Sequence, residues 1–473
     1  MKKYNSLEDT SKSNAEENIY DFQKNLSKPN NCTTKKIIKR IFIILCIAIF
    51  ILFFLFIVGF HIETKSKVKD KKFNKKEMET ARYNTVIKLN NINFPSSKSN
   101  DLYNEEDLYN FYNFTYYFFK NLNYRDFSSI GLYSVLINIY MSISDKEQSE
   151  LLNNILGSNN DERIKFYSKI FNNNYFENSD GEIKISNGAF FNNDIVKENQ
   201  SFIDQMSKTY TECYKLSYKK DFNFIKEWIS KTLKDNIDSF GGKLDNKENI
   251  AILFFSNLYY KQKWNIKFAD SETYRDIFYI DNNNNKEVYY MKHSYHIYDY
   301  YDYDKYISFY DYYTNNYLIQ YIVPKSINDN IINLVKDINF IYENELNKTD
   351  GIYIKLHVPK FRIDNEIDFE PIMKKIGFEK LFNNNYSTIN NPFIVQNDYN
   401  YYLDKLLQKN QVELNEDGTT IKSMTLASGG MMGKSASPKE WGVEIKLNQP
   451  FIYIIKDINH LPVFIGYIKE PNY

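Results

Sequence analysis

The stretch Gln411 to Gly430 sets the narrowest limits on what this chain can become. Val412 and Leu414 alternate with Glu413 and Asn415, the two-residue period of a strand with one buried face. Asp417-Gly418 then gives a turn signal, because glycine reaches positive φ at no steric cost. A long run of small and polar residues follows, through Met431, Met432, Gly433, Lys434, Ser435, Ala436, Ser437 and Pro438. The rest of the chain is crowded with Asn, Tyr, Ile and Lys, so this run is a local change of composition. In isolation it reads as a surface connector between two strands.

At 473 residues the chain can bury a large core or divide into two or three domains. Its 60 basic and 60 acidic residues cancel, so net charge gives no general attraction to nucleic acid or to a membrane surface. Of three cysteines, Cys32, Cys46 and Cys213, only Cys213 lies in the main domain, which therefore cannot close an internal disulfide.

Residues 1–40 are polar and aperiodic and predict a disordered tail. Residues 41–60 form a run of 20 without a charge. At about 1.5 Å per residue such a helix reaches about 30 Å, the thickness of a bilayer core. The run predicts a retained single-pass anchor; a cleaved signal peptide would have a shorter apolar region ending in small residues. Six basic residues precede the span closely and seven follow it, so the positive-inside rule does not fix its orientation. Lys35, Lys36, Lys39 and Arg40 abut the span and favour a cytoplasmic N-terminus, with the domain lumenal or extracellular.

Residues 61–104, lysine-rich and then Asn/Ser-rich, predict a solvated stalk. From Asp107 the pattern turns amphipathic. Leu108, Phe111, Phe114, Phe118 and Leu122 predict one helix, Ile130 to Met141 a second, and Phe224 to Ile237 a third with Trp228 and Ile229 inside. Ala251 to Tyr260 is an almost continuous apolar run, the mark of a strand covered on both faces. Further strands are predicted at Val288–Met291, Leu318–Val323, Ile352–Val358, Ile445–Leu447, Phe451–Ile455 and Val463–Ile468. Helices early and strands late give an α+β domain over residues 105–473.

Enzyme chemistry finds little support. The five histidines form no metal-binding spacing, although His293 and His296 could pair, and no Gly-x-Ser-x-Gly elbow occurs. Cys213 carries no signature of a catalytic thiol. Gly433-Lys434-Ser435 ends like a phosphate-binding loop, but the first glycine is replaced by Ser428 and no helix is expected to follow. The tyrosines and aspartates of residues 295–317 predict a strand and loop with one aromatic face packed.

With these pieces in order, residues 105–473 resemble the serpin family. Phe127-Ser128-Ser129-Ile130 is similar to its Phe-Ser-Pro helix opening, and Trp228-Ile229 with Thr232 to its Trp-Val-x-x-x-Thr helix. Ser256-Asn257-Leu258-Tyr259-Tyr260 through Trp264, then Phe268, Thr273, Phe278 and Met291, resembles its central strand. Leu356-His357-Val358-Pro359-Lys360-Phe361, Ile376-Gly377-Phe378, Pro450-Phe451, Phe464-Ile465-Gly466 and Pro471 follow in register. The opening stretch resembles the family's reactive-loop hinge, Glu416-Asp417-Gly418-Thr419 standing for Glu-Glu-Gly-Thr, with Thr420, Ile421, Ser423 and Thr425 continuing it.

The resemblance implies three β-sheets, about nine helices and an exposed loop offered as bait. It implies a suicide substrate with no catalytic residue, cofactor or metal of its own. Its partner would be a serine (or cysteine) protease trapped covalently when the cut loop inserts into the central sheet. A monomer is implied, with the membrane met through residues 41–60 and no nucleic-acid role. Thr419, Ile421, Ser423, Thr425, Ala427 and Gly429 would face one way on insertion, all small but Ile421; the opposite parity would bury Lys422. A strand of about 15 residues spans about 50 Å.

Departures accompany the match. Ile421 and Lys422 replace alanines. The family's sheet-opening serine, asparagine and histidine correspond to Gly131, Ser256 and Gln408, with Ser128 retained and Trp264 nearby. The register puts the cut at Met432-Gly433, whereas Lys434-Ser435 would suit a trypsin-like enzyme. These departures keep open a non-inhibitory serpin fold serving as a binding or chaperone module.

Overall fold

The computed structural model describes residues 83–157, 160–234, 249–297, 299–335, 348–349, 352–394, 399–421 and 442–473. Thr80 to Tyr473 makes one compact unit. The chain begins with β1 (Ile87–Lys88), α1 (Glu105–Asn121), β2 (Phe127–Ser128), α2 (Ser129–Ser142), α3 (Lys146–Leu156) and α4 (Asn160–Asn173). It continues through β3 (Phe176–Glu177), β4 (Gly181–Asn192), α5 (Gln200–Ser207), β5 (Thr211–Leu216), α6 (Asn223–Leu233) and β6 (Ile252–Lys263). Then come β7 (Tyr274–Tyr279), β8 (Asn285–Ile297), β9 (Tyr300–Asp302), β10 (Tyr306–Tyr312), β11 (Leu318–Pro324) and α7 (Ile331–Leu334). Last are β12 (Lys348–Thr349), β13 (Ile352–Pro359), β14 (Phe361–Asp368), α8 (Glu370–Met373), β15 (Leu407–Asn415), β16 (Gly418–Ile421), β17 (Val443–Lys446), β18 (Phe451–Lys456) and β19 (Pro462–Ile468).

The strands make three sheets, as expected, and eight α-helices are found among the described residues. The largest sheet runs β1-β5-β4-β6-β16-β15-β14, with β3 beside β4. A seven-stranded sheet runs β12-β9-β10-β11-β18-β19-β2 and a four-stranded one β17-β13-β8-β7.

Local chemistry explains the elements that carry the fold. Asn104 caps α1 by accepting from Glu106 N, and Phe111, Phe114 and Phe118 turn inward at helical spacing. Helix α2 is buried nearly all round, because it lies beneath the largest sheet and against β19. Trp228 and Ile229 are buried on α6, where Trp228 meets Phe190 edge-on at 5.3 Å. Strands β18 and β19 are themselves almost wholly buried.

Of the stalk expected over residues 61–104, the part from Tyr83 onward lies on the domain, and residues 61–82 lie outside the described residues. β1 pairs with β5, Ile87 opposite Lys215. Thr85 N donates to Asp221 at 2.8 Å, Phe94 stacks on Tyr175 at 5.3 Å, and Tyr103 donates to the buried Asp457. A few anchoring side chains in a polar segment are enough to dock it, and composition averaged over the segment hides them. Among the described residues no helix is long and apolar enough to cross a membrane. The tail 1–40 and the uncharged run 41–60 lie outside the described residues.

Candidate functional site at the head of the central sheet

Strand β15 turns through Glu416 and Asp417 into β16, so Asn415 faces Gly418 across a two-residue hairpin. Gly418 has φ +153°, and a Cβ there would stand 2.0 Å from the Gln262 carbonyl oxygen, which reserves the position for glycine. β16 runs antiparallel to both neighbours. Thr420 lies opposite Glu413 of β15 and Lys261 of β6, and Ile421 lies opposite Tyr260. Thr419 and Ile421 are buried, 1% and 4% exposed, while Thr420 is half-buried. The hinge has thus entered the sheet, with the odd-numbered side chains inward.

A ring of side chains fixes this entry. Trp264 stacks on Tyr313 with centroids 4.5 Å apart and donates Nε1–H to the Asn415 carbonyl at 2.8 Å. Tyr313 shares a 2.5 Å hydrogen bond with the Thr419 hydroxyl. Glu416 accepts from Thr273 at 2.7 Å and pairs with Lys360 at 3.0 Å, its side chain 11% exposed and that of Lys360 15%. Burial works against the ionised form of Glu416, but the hydrogen bonds from Thr273, its own backbone and Lys360 outweigh it and hold the carboxyl below the usual range. Asp417 is exposed and pairs with Lys267 at 2.7 Å. Sequence reasoning singles out neither Lys360, Thr273 nor Tyr313 as site residues; each comes from another sheet or loop, and no local period marks them.

Below Ile421 the sheet is split. Among the described residues nothing pairs with the facing edges of β6 before Tyr260 or of β15 before Glu413. A cavity of about 580 Å³ occupies the gap, with Leu132, Val135 and Ile139 of α2, Phe254 and Ser256 of β6, and Leu406 on its walls.

At the floor of this slot stand the residues assigned to sheet opening. Ser128 caps α2, its Oγ accepting from Gly131 N at 3.1 Å. Gln408 clamps the Ser128 backbone at two points, Oε1 accepting from Ser128 N at 2.9 Å and Nε2 donating to Ser128 O at 3.1 Å. Gly131 makes room for that clamp, since a Cβ there would lie 3.2 Å from Gln408 Nε2 and 3.1 Å from Ser128 Oγ. Ser256 Oγ is buried and has no hydrogen-bond partner among the described residues. The structure brings Ser128, Gly131 and Gln408 into one contact, leaves Ser256 across the slot, and places Trp264 at the hinge instead.

The far end of the loop belongs to another sheet. β17 lies parallel to β13, Val443 opposite Ile354, and Glu444 contacts His357 Nε2 at 2.9 Å and Lys355 at 3.0 Å. Residues 422–441 therefore connect the largest sheet to the smallest. Ser423, Thr425, Met432, Gly433, Lys434 and Ser435 lie outside the described residues. So does the side chain of His296; His293 sits 3.1 Å from Asp311 Oδ2 and stacks on Phe268, linking β8 to β10.

Comparison with known proteins follows the same line. The family model described as Serpin (serine protease inhibitor) matches residues 110–471, and the chain belongs to that family. It is 22% identical over 271 residues to Serpin B11 of Mus musculus, covering 56% of this chain and 67% of the relative. It is 22% identical over 261 residues to Plasminogen activator inhibitor 1 of Sus scrofa, covering 52% and 61%. The native-state crystal structure of tengpin, a thermophilic serpin, superposes with a TM-score of 0.67 at 20% identity, covering 82% of this chain and all of that one. The last likeness concerns the fold.

Proposed function

We propose that this protein is a protease-trapping serpin, a suicide substrate whose loop over residues 422–441 is cut by a serine or cysteine protease. The observation that carries this reading is β16: four hinge residues already pair with β6, three of them also with β15, directly above an open slot. The slot edges, Ile252–Tyr259 and Leu407–Val412, offer backbone donors and acceptors to one further strand. The sequence supplies Ser423, Thr425, Ala427 and Gly429 at the inward positions, with Lys422 outward. Ladder bonds at a net ~0.5–1.5 kcal/mol each, along two edges, sum to roughly 10 kcal/mol. That is comparable to the stability of a whole domain and is enough to drive insertion. An acyl-enzyme carried by the cut end would move with the strand, and the Glu416–Lys360 pair sits at its pivot.

Met432-Gly433 is the bond proposed for attack, with Lys434-Ser435 the alternative for a trypsin-like enzyme. Residues 41–60 are proposed to anchor the domain on the lumenal or extracellular side of a membrane. A second reading, a non-inhibitory binding or chaperone module, rests on Lys422 and on the Gln408 clamp, which leaves Ser256 without its partner.

Incubation of the full chain with a panel of serine and cysteine proteases separates the two. Trapping gives a covalent complex that survives a denaturing gel; cleavage without complex favours the second reading.

A further inference from the structure

The chain carries the pattern Asn-x-Ser/Thr at Asn25, Asn31, Asn113, Asn199, Asn347 and Asn385. In a chain that enters the secretory lumen this pattern accepts an N-linked sugar, and the folded domain keeps the sugar at no cost only where the asparagine stands free at the surface. Asn25, Asn31 and Asn347 lie outside the described residues, and the fold separates the other three.

Two of them are already committed to the fold. Asn113 is half-buried in the middle of α1, and its neighbours Tyr112 and Phe114 lie in the core. Asn199 spends both ends of its amide. Its Oδ1 caps α5 by accepting from Ser201 N at 3.1 Å, and its Nδ2 donates to the Asn391 carbonyl at 3.0 Å.

Asn385 is free on each count. It is exposed and sits in a β-turn closed by Tyr386 N, which donates to the Asn383 carbonyl at 3.1 Å. Its backbone N–H donates to Asn383 Oδ1 at 3.0 Å, while its side-chain amide makes no hydrogen bond among the described residues. The turn holds its shape without that amide. Asn400 Nδ2 donates to the Asn384 carbonyl at 3.1 Å, and Ser387 Oγ donates to Asn390 Oδ1 at 2.5 Å and accepts from Tyr401 N at 3.1 Å. The Ser387 hydroxyl thus completes the acceptor pattern on the unfolded chain and fastens the turn once the chain has folded.

We propose that Asn385 is a site of N-linked glycosylation, its Nδ2 receiving an oligosaccharide from a polyprenyl-diphosphate donor. The bond formed joins Nδ2 to C1 of the first N-acetylhexosamine. The C1–O bond to the lipid diphosphate breaks, the diphosphate leaves with the bonding pair, and the amide gives up one proton; nothing is oxidised or reduced. The proposal rests on the lumenal or extracellular placement of the domain given above.

The test uses the full chain made in cultured animal cells, with peptide mapping before and after a glycan-releasing amidase. Protease protection of intact microsomes reports the side of the membrane. The domain is expected to be protected, and the peptide holding Asn385 to carry a sugar whose release leaves an aspartate in its place. Asn385→Gln abolishes that modification. Ser387→Ala, which keeps the asparagine, abolishes it too, because transfer precedes folding. A protected domain whose Asn385 is bare overturns the site and leaves the placement standing. A domain open to the protease with Asn385 bare overturns the placement and the site with it.

Discussion

Lys360 and Glu416 meet at 3.0 Å where β13 and β14 join and where β15 turns into the hinge, both side chains at most 15% exposed. The pair ties the start of the loop to a second sheet, and removing one member leaves the other charge buried and uncompensated. Lys360→Ala is expected to destabilise the uncut protein by roughly 3 kcal/mol, and Lys360→Met with Glu416→Gln to recover part of that. Chemical denaturation of both variants measures it. Because the folded Glu416 carboxyl is held low, its contribution is present above its unfolded pKa of about 4.3. The contribution fades as pH falls through the lower, folded value.

Asp126 has the opposite sign. Buried beside Gly466 and accepting from Tyr453 at 3.0 Å, its carboxyl is pushed up from 3.8 to about 7, desolvation being the main cause. The folded state binds the proton more tightly than the unfolded one, so the Asp126 contribution is full below about pH 4 and is lost as pH rises towards 7. The penalty above neutrality is roughly 4 kcal/mol. Thermal unfolding from pH 4 to 8 should show this decline in the wild type and a flatter profile in Asp126→Asn.

Gly131 tests the clamp. A Ser or Ala at this position crowds Gln408 Nε2 and Ser128 Oγ at 3.2 and 3.1 Å. Gly131→Ala is expected to cost about 1–2 kcal/mol in the wild-type background and less beside Gln408→Ala, a coupling that a double-mutant cycle reads directly.

Gly418 controls entry. Any side chain collides with the Gln262 carbonyl, so Gly418→Ala should expel residues 418–421 from the sheet. Trp264 reports it, since its indole bonds the Asn415 carbonyl and stacks on Tyr313. A red-shifted, quencher-accessible indole is expected, and an unchanged spectrum would show that the hinge stays in place.

Much of this is legible in the chain because periodicity and motif order survive without any alignment. Phe111, Phe114 and Phe118 announce α1, the apolar run at Ala251–Tyr260 announces β6, and the Asp417-Gly418 turn announces a hairpin. What stays hidden depends on contacts between distant segments. Lys360, Thr273 and Tyr313 converge on the hinge from separate elements, and nothing near them in sequence records it. Tyr83, Phe94 and Tyr103 dock a segment whose average composition reads as solvated. Ile421 is bulky for its place by sequence, yet an opening beneath it and Tyr260 opposite give it a buried seat, 4% exposed.

The claim that the cut loop becomes the missing strand is tested most directly by hydrogen exchange at the two slot edges. Amides of residues 252–259 and 407–412 that face the gap have no partner there among the described residues. After a single cut within residues 422–441, the inserted strand should slow their exchange by orders of magnitude. Unchanged exchange at both edges after complete cleavage would contradict the account.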